Sequence, residues 1–191
     1  MILVTGAAGF IGFSLCKKLL EGNNKVIGLD NLNSYYSLRL KKDRLNILQK
    51  YKTFEFIKCD IVDKKQLQKK INKKKIKIIY HLAAQAGVRH SLKYPEDYVS
   101  NNLVGFFNVI EIAKEKKIKH FIFSSTSSVY GLNKKIPFKV SSAVDHPSQF
   151  YAATKRSNEL MAHSYSYMYN LPITVFRFFS VYGPWGRPDM A

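Results

Sequence analysis

The chain has 191 residues, 46% of them hydrophobic, which is one domain's worth of sequence with enough apolar content for a well-buried core. No apolar run approaches a membrane span, and the two cysteines, Cys16 and Cys59, are too few for a disulfide framework. Membrane proteins and disulfide-stapled scaffolds are therefore set aside in favour of a soluble cytoplasmic protein with reduced thiols and no secretory leader.

The formal charge of +18 raises nucleic-acid binding as a function class. The densest basic stretch, 64–77, nevertheless spaces Leu67, Ile71 and Ile76 as the inner stripe of a surface helix running into a strand. Its lysines read as the solvated face, so neither a nucleic-acid nor a membrane partner is expected.

In chain order, Ile2–Thr5 reads as a short apolar strand and 10–20 as a helix with Ile11, Leu15, Leu19 and Leu20 inward. A second strand covers 25–29 and ends in Asp30; a turn and a helix over 38–49 follow. Strands are expected at 54–57, 76–80 and 120–123, with the lysine-rich helix after the first and a long helix over 97–113 before the last. Pro137 and Pro147 mark a loop, then Phe150–Tyr169 is helical and Ile173–Phe178 a sixth strand. Strands alternating with helices argue an α/β fold, a doubly wound parallel sheet covered on both faces. A Rossmann domain over 1–178 is expected, with 179–191 the start of a further part, because the tail stops without a closing element.

Thr5-Gly6-Ala7-Ala8-Gly9-Phe10-Ile11-Gly12 follows a strand and opens a helix, the context in which a glycine triplet binds a dinucleotide. Gly6 permits the tight turn, Gly9 lets the backbone approach a pyrophosphate, and Gly12 permits close helix–strand packing. The helix N-terminus offers N–H groups and a positive dipole end to the phosphates. Asp30, ending the second strand, is placed to accept from adenosine ribose hydroxyls and to repel a 2′-phosphate, which favours NAD over NADP. The alternative is a turn aspartate in an Asx-type bend. Asp60, after the third strand, is placed for the adenine edge, with a helix N-cap as its alternative.

Tyr151 and Lys155 are four apart on one helix and share a face. A phenol with an ordinary pKa near ~10 is a poor base, and an adjacent ammonium lowers it. The hydroxyl run Ser124-Ser125-Thr126-Ser127-Ser128 ends the fifth strand, where Thr126 supplies a third hydroxyl for a substrate oxygen that loses or gains a proton.

These stretches resemble the extended short-chain dehydrogenases/reductases, in the nucleotide-sugar epimerase/dehydratase group, closest to the UDP-glucuronate 4-epimerases. The resemblance extends to Asp30-Asn31-Leu32-Asn33-Ser34-Tyr35-Tyr36, His81-Leu82-Ala83-Ala84-Gln85-Ala86-Gly87-Val88-Arg89, Tyr151-Ala152-Ala153-Thr154-Lys155 and 177–191. It implies Tyr151 as base, Lys155 as its partner and Thr126 as helper. It also implies a cofactor set of Gly6, Gly9, Phe10, Ile11, Gly12, Asp30, Asn31, Asp60, Ile61, Leu82, Ala83, Ala84, Gln85 and Ser124 beside Tyr151 and Lys155. Arg89, Asn102, Ser127, Ser128, Ser180 and Arg187 would approach the sugar nucleotide; Arg89 reads equally as a surface residue.

The related 4,6-dehydratases carry Thr-Asp-Glu at this strand end, and the related uronate decarboxylases a glutamate where Ser128 stands. Here Ser127 and Ser128 follow Thr126, so the resemblance implies C4 epimerisation of a UDP-sugar, UDP-glucuronate first, with NAD, no metal, and a homodimer formed through the helices from Asp97 and Phe150. Two alternatives stay open: a UDP-glucose/UDP-galactose 4-epimerase, and a non-catalytic NAD-binding fragment, since most of the family's substrate lobe would lie beyond Ala191.

Overall fold

The computed structural model describes residues 1–186. Six strands form one parallel sheet: β1 (Ile2–Thr5), β2 (Val26–Asp30), β3 (Phe54–Lys58), β4 (Ile78–His81), β5 (His120–Thr126) and β6 (Ile173–Phe178), in the order β3-β2-β1-β4-β5-β6. The order reverses between β1 and β4, paired from Ile2 with Ile78 to Thr5 with His81, and this switch point opens a crevice at the strands' carboxyl ends.

The helices are α1 (Phe10–Glu21), α2 (Leu38–Leu48), α3 (Lys64–Ile71), α4 (Pro95–Tyr98), α5 (Phe106–Glu115) and α6 (Phe150–Tyr169). Strand residues alternate between two cores, as the pleat requires. Leu3, Ile27, Ile79, Phe121 and Phe123 pack with Leu67 of α3, Phe106, Val109 and Ile110 of α5, and Ala162 of α6. Val4 and Val26 pack on the other face with Phe13, Cys16 and Leu20 of α1 and Leu45 and Leu48 of α2.

Two elements depart from the pattern reading. The helix expected over 97–113 is α4, then a π-helical stretch Val99–Gly105, then α5. On the two helices through which a homodimer was expected, Phe106 and Ile110 lie in the core, while Phe107 and Leu160 are exposed. The fifth strand runs on to Thr126, which carries Ser124, Ser125 and Thr126 to the carboxyl end of the sheet, at the crevice.

Candidate active site

The crevice is a cleft of about 710 Å³. Its wall runs from Asp30 and Asn31 after β2, across Gly6, Gly9, Phe10, Ile11 and Gly12, past Ile61, Leu82, Ala83, Ala84 and Gln85, to Ser124, Thr126, Ser127, Ser128, Tyr151 and Lys155. Arg89 and Ser180, both exposed, contribute to the same wall. Asp60 and Asn102 do not line it, and Arg187 lies outside the described residues.

The glycine loop is a cradle that side chains would fill. Gly6 has φ +73°, and a Cβ there would meet Ala83 N at 2.8 Å. A Cβ on Gly12 would meet Gly6 O at 2.0 Å, so this glycine lets the helix close on its own loop, where helix–strand contact was expected. Gly9 caps α1 with no side-chain acceptor, leaving first-turn N–H groups directed to the cleft end of the helix. The residues present therefore fit the pyrophosphate of a dinucleotide.

Asp30 forms the Asx-type turn and also stands on the cleft wall. Its Oδ1 accepts from Leu32 N–H at 2.8 Å, an Asx-type turn, and its Oδ2 from Ala8 N–H at 3.1 Å, while the residue lines the cleft. Burial raises its pKa; the Leu32 N–H, Lys41, the Ala8 N–H and Arg44 oppose the rise. Asp60 instead accepts from Asn31 Nδ2 at 2.9 Å and from Val62 N–H at 2.9 Å, steadying the wall from behind. It is not the helix cap: Asp63 caps α3, accepting from Gln66 N–H at 2.9 Å.

At the other end, Tyr151 sits in the first turn of α6, where the helix dipole favours an anionic phenolate. The ring of Tyr98 meets it edge-on at 6.0 Å. Lys155, one turn on, is buried, and that burial lowers its pKa to about 8 against the opposing charge of Glu159. Glu159 is tied by Ser125 Oγ at 2.6 Å, by Arg177 Nε at 3.0 Å and Nη2 at 2.9 Å, and by Arg156 Nη1 at 3.1 Å. Burial would raise its pKa, but the bonds from Arg177, Ser125 and Arg156 outweigh it and hold the carboxyl ionised. Thr126 Oγ1 accepts from Ser128 N–H at 3.2 Å and donates to Ser128 Oγ at 3.3 Å, which fixes the hydroxyl cluster.

The loop after β4 is held from beneath. Thr5 Oγ1 accepts from the N–H groups of Leu82 and Ala83, each at 3.2 Å, which leaves its proton for His81 Nδ1 at 2.8 Å. His81, its pKa lowered to about 3 by burial and then by Lys155, is neutral and serves as that acceptor.

Asn102 corrects an expectation. It is 1% exposed. Its Oδ1 accepts from Gln85 N–H at 2.8 Å, and its Nδ2 donates to Gln85 O at 3.1 Å and Thr154 Oγ1 at 3.1 Å. It clamps the loop to α6 from behind and does not face the sugar side.

Lys41 and Arg44, both buried, were not anticipated. Lys41 Nζ donates to Asn33 O at 2.8 Å and lines the cleft; Arg44 Nη1 donates to Ala8 O at 2.9 Å and Nη2 to Trp185 O at 2.6 Å. A signal existed: Lys41, Arg44, Leu45 and Leu48 occupy one helical stripe, so two cations stand at positions that a plain core would fill with apolar residues.

A parallel sheet with a glycine loop at its switch point and a Tyr/Lys pair across the cleft defines the dinucleotide site of a short-chain dehydrogenase/reductase fold. The profile of the NAD dependent epimerase/dehydratase family matches residues 2–191, and the chain belongs to that family. It is 51% identical to protein CapI of Staphylococcus aureus over 190 residues, covering 100% of this chain and 57% of that protein. It is 50% identical to a probable UDP-glucuronate 4-epimerase of Rhizobium meliloti, over 99% of this chain and 55% of that one. Among solved structures, the UDP-glucuronic acid 4-epimerase of Bacillus cereus in complex with UDP-glucuronic acid and NAD superposes with a TM-score of 0.89 at 40% identity, over 100% of this chain and 60% of that one. The chain thus spans a little over half the length of these relatives.

Proposed function

We propose that this chain is the NAD-binding and catalytic part of a nucleotide-sugar 4-epimerase, with UDP-glucuronate and UDP-galacturonate as its pair of substrates. The observation that carries the reading is the convergence of Tyr151, Lys155 and Thr126 on the same cleft as the glycine loop, with Asp30 the one carboxylate among the described lining residues. A wall with no acid beside Thr126 suits proton exchange at C4 and supplies nothing to expel a neighbouring hydroxyl.

Bound NAD would supply a reversible hydride acceptor for C4, the chemistry that a route through a 4-keto sugar requires. The chain's own residues do the rest. Tyr151 Oη takes the C4 hydroxyl proton and returns it; the Lys155 ammonium stabilises the phenolate; the Glu159 charge opposes the burial that disfavours that ammonium. Thr126 hydrogen-bonds the C4 oxygen, and Ser127 and Ser128 hold the uronate, which restrains loss of CO2 from the β-keto acid. Arg89 and Ser180 belong to the sugar-nucleotide side, Asn31 and Ile61 to the adenosine side. Residues 1–178 form the cofactor domain, and 179–191 begin the substrate part.

The test is NMR of UDP-glucuronate with the protein extended to its relatives' full length. UDP-galacturonate as product is expected. UDP-pentose as the main product, or conversion of UDP-glucose alone, would overturn the assignment.

A further inference from the structure

Every strand of a parallel sheet enters from the same edge, here the edge opposite the crevice. The loops that feed β2, β3, β4 and β5 are 22–25, 49–53, 72–77 and 116–119. Together they hold ten lysines and no Asp, Glu or Arg. The segments that leave β1, β2 and β3 toward the crevice, 6–9, 31–37 and 59–63, hold no basic residue at all, so an even compositional bias does not account for the placement. Among the described residues only Lys74 of the ten forms an ion pair, with Glu55, and Lys116 is turned onto Asn72 O and Lys74 O. The other eight are exposed. The acids that flank the row, Glu21 and Glu115, stand next to further lysines, Lys17 at 3.8 Å from the first and Lys114 and Lys116 on either side of the second. Backbone bonds stitch the strand entries into one row: Val26 N–H donates to Thr53 O at 3.0 Å, Ile2 N–H to Lys25 O at 2.9 Å, Lys77 N–H to Met1 O at 2.9 Å and Lys119 N–H to Lys77 O at 2.7 Å. Five neighbouring strands ~4.8 Å apart make that row ~19 Å across.

We propose that this edge of the sheet is a docking face for an anionic lipid bilayer, on which the chain lies with its crevice turned away to solution. The inference goes beyond the epimerase reading and departs from the expectation that no membrane partner exists. That expectation took the basic stretch as the solvated face of a helix, but α3 stops at Ile71, so Lys73, Lys75 and Lys77 belong to the row. A lysine ammonium is a compact point charge on a flexible stem, suited to diffuse headgroup charge more than to the paired oxygens of one phosphate. Each lysine near an anionic leaflet contributes about a fivefold gain in affinity, and a rigid row presents several at once. Nucleic acid suits the row less well. Single strands need aromatic side chains on which bases stack, and a duplex needs a helix or ribbon entering its groove. The one aromatic residue in these loops, Tyr51, packs against the core.

The experiment is co-sedimentation of the chain with vesicles of phosphatidylcholine alone and of phosphatidylcholine mixed with phosphatidylserine, at low and high salt. Wild type should bind the mixed vesicles, release them at high salt and ignore the neutral ones. Two variants remove equal charge from opposite ends of the sheet. One combines Lys25→Gln, Lys52→Gln, Lys77→Gln and Lys119→Gln in the row; the other combines Lys93→Gln, Lys134→Gln, Lys135→Gln and Lys139→Gln on loops at the carboxyl end. The first should weaken binding ~100-fold or more, the second by no more than about a few-fold. Equal losses would mean that net charge alone attracts the lipid and would overturn the proposal, as would a wild type that binds neither vesicle or both alike. Wild type that prefers single-stranded or duplex DNA to the mixed vesicles, and loses it in the first variant, would make the row a nucleic-acid face and overturn the lipid assignment. If the first variant does not melt as wild type does, acetylation of vesicle-bound wild type decides. Lys25, Lys52, Lys77 and Lys119 should then be protected and Lys93, Lys134, Lys135 and Lys139 modified; protection of both sets alike overturns the docking face.

Discussion

Tyr151→Phe keeps the aromatic ring and its contact with Tyr98 while removing the proton acceptor. NAD affinity of the variant should stay within a few-fold of wild type, and turnover of the full-length protein should fall ~10²–10⁴-fold, as for loss of a general base. Retained turnover would remove Tyr151 from the mechanism. Lys155 adds a pH signature. Its folded-state pKa, about 8, lies below the ordinary 10.5, so folding penalises the ammonium. That penalty is present in full below about pH 8 and is relieved as pH rises to 10.5. Over that window wild type should gain on the order of 3 kcal/mol against Lys155→Met in denaturant unfolding, and one lysine side-chain resonance should titrate near pH 8. Parallel stability curves would show an ordinary lysine. The Tyr/Lys pair was legible because its chemistry lies in residue type and helical spacing. Glu159 was not: nothing in its neighbours tells that Ser125, Arg156 and Arg177 converge on it from a strand end, the same helix and the next strand.

Among the elements, the glycine loop separates a folding requirement from a binding one. Gly12→Ala places a methyl 2.0 Å from Gly6 O, which backbone must yield to, so a loss of ~1–3 kcal/mol is expected in thermal unfolding. Gly9→Ala meets only Gly6 O, at 3.1 Å, but stands on the cleft wall, so it should melt close to wild type yet bind NAD at least ~10-fold more weakly. Equal effects of the two on stability would mean that the loop packs differently. The strand–loop–helix order was readable from periodicity because β1 and α1 are regular. The π-helical stretch was not, since nothing in 97–113 breaks the helical reading. Its cause is tertiary: Gly105 passes so close to Ile61 that a Cβ would lie 2.6 Å from Ile61 Cδ1, and Asn102 must turn inward to clamp Gln85. Neither contact is local in sequence, so no periodicity announces it.

At the scale of the whole molecule, charge and apolar surface oppose one another. Val99, Val104 and Phe107 on one helical segment, and Leu160, Tyr167 and Met168 on α6, are exposed in the single chain, more than scattered surface hydrophobics require. We propose a homodimer through these helices. Each copy carries a formal +18, so two copies repel until salt shortens the reach of their fields, from ~10 Å at 0.1 M to ~3 Å at 1 M. Self-association should therefore strengthen with salt, whereas NAD, an anion entering a basic protein, should bind more weakly. Sedimentation velocity between about 0.05 and 0.5 M salt, roughly a threefold change in screening length, reads the first trend and calorimetry the second. Phe107→Asp with Leu160→Asp should give a monomer at every salt concentration, with NAD affinity unchanged because neither residue lines the cleft. A wild type that stays monomeric throughout would assign those exposed side chains to some other contact, and a dimer that dissociates as salt rises would mean ion pairs, not apolar burial, hold the copies together.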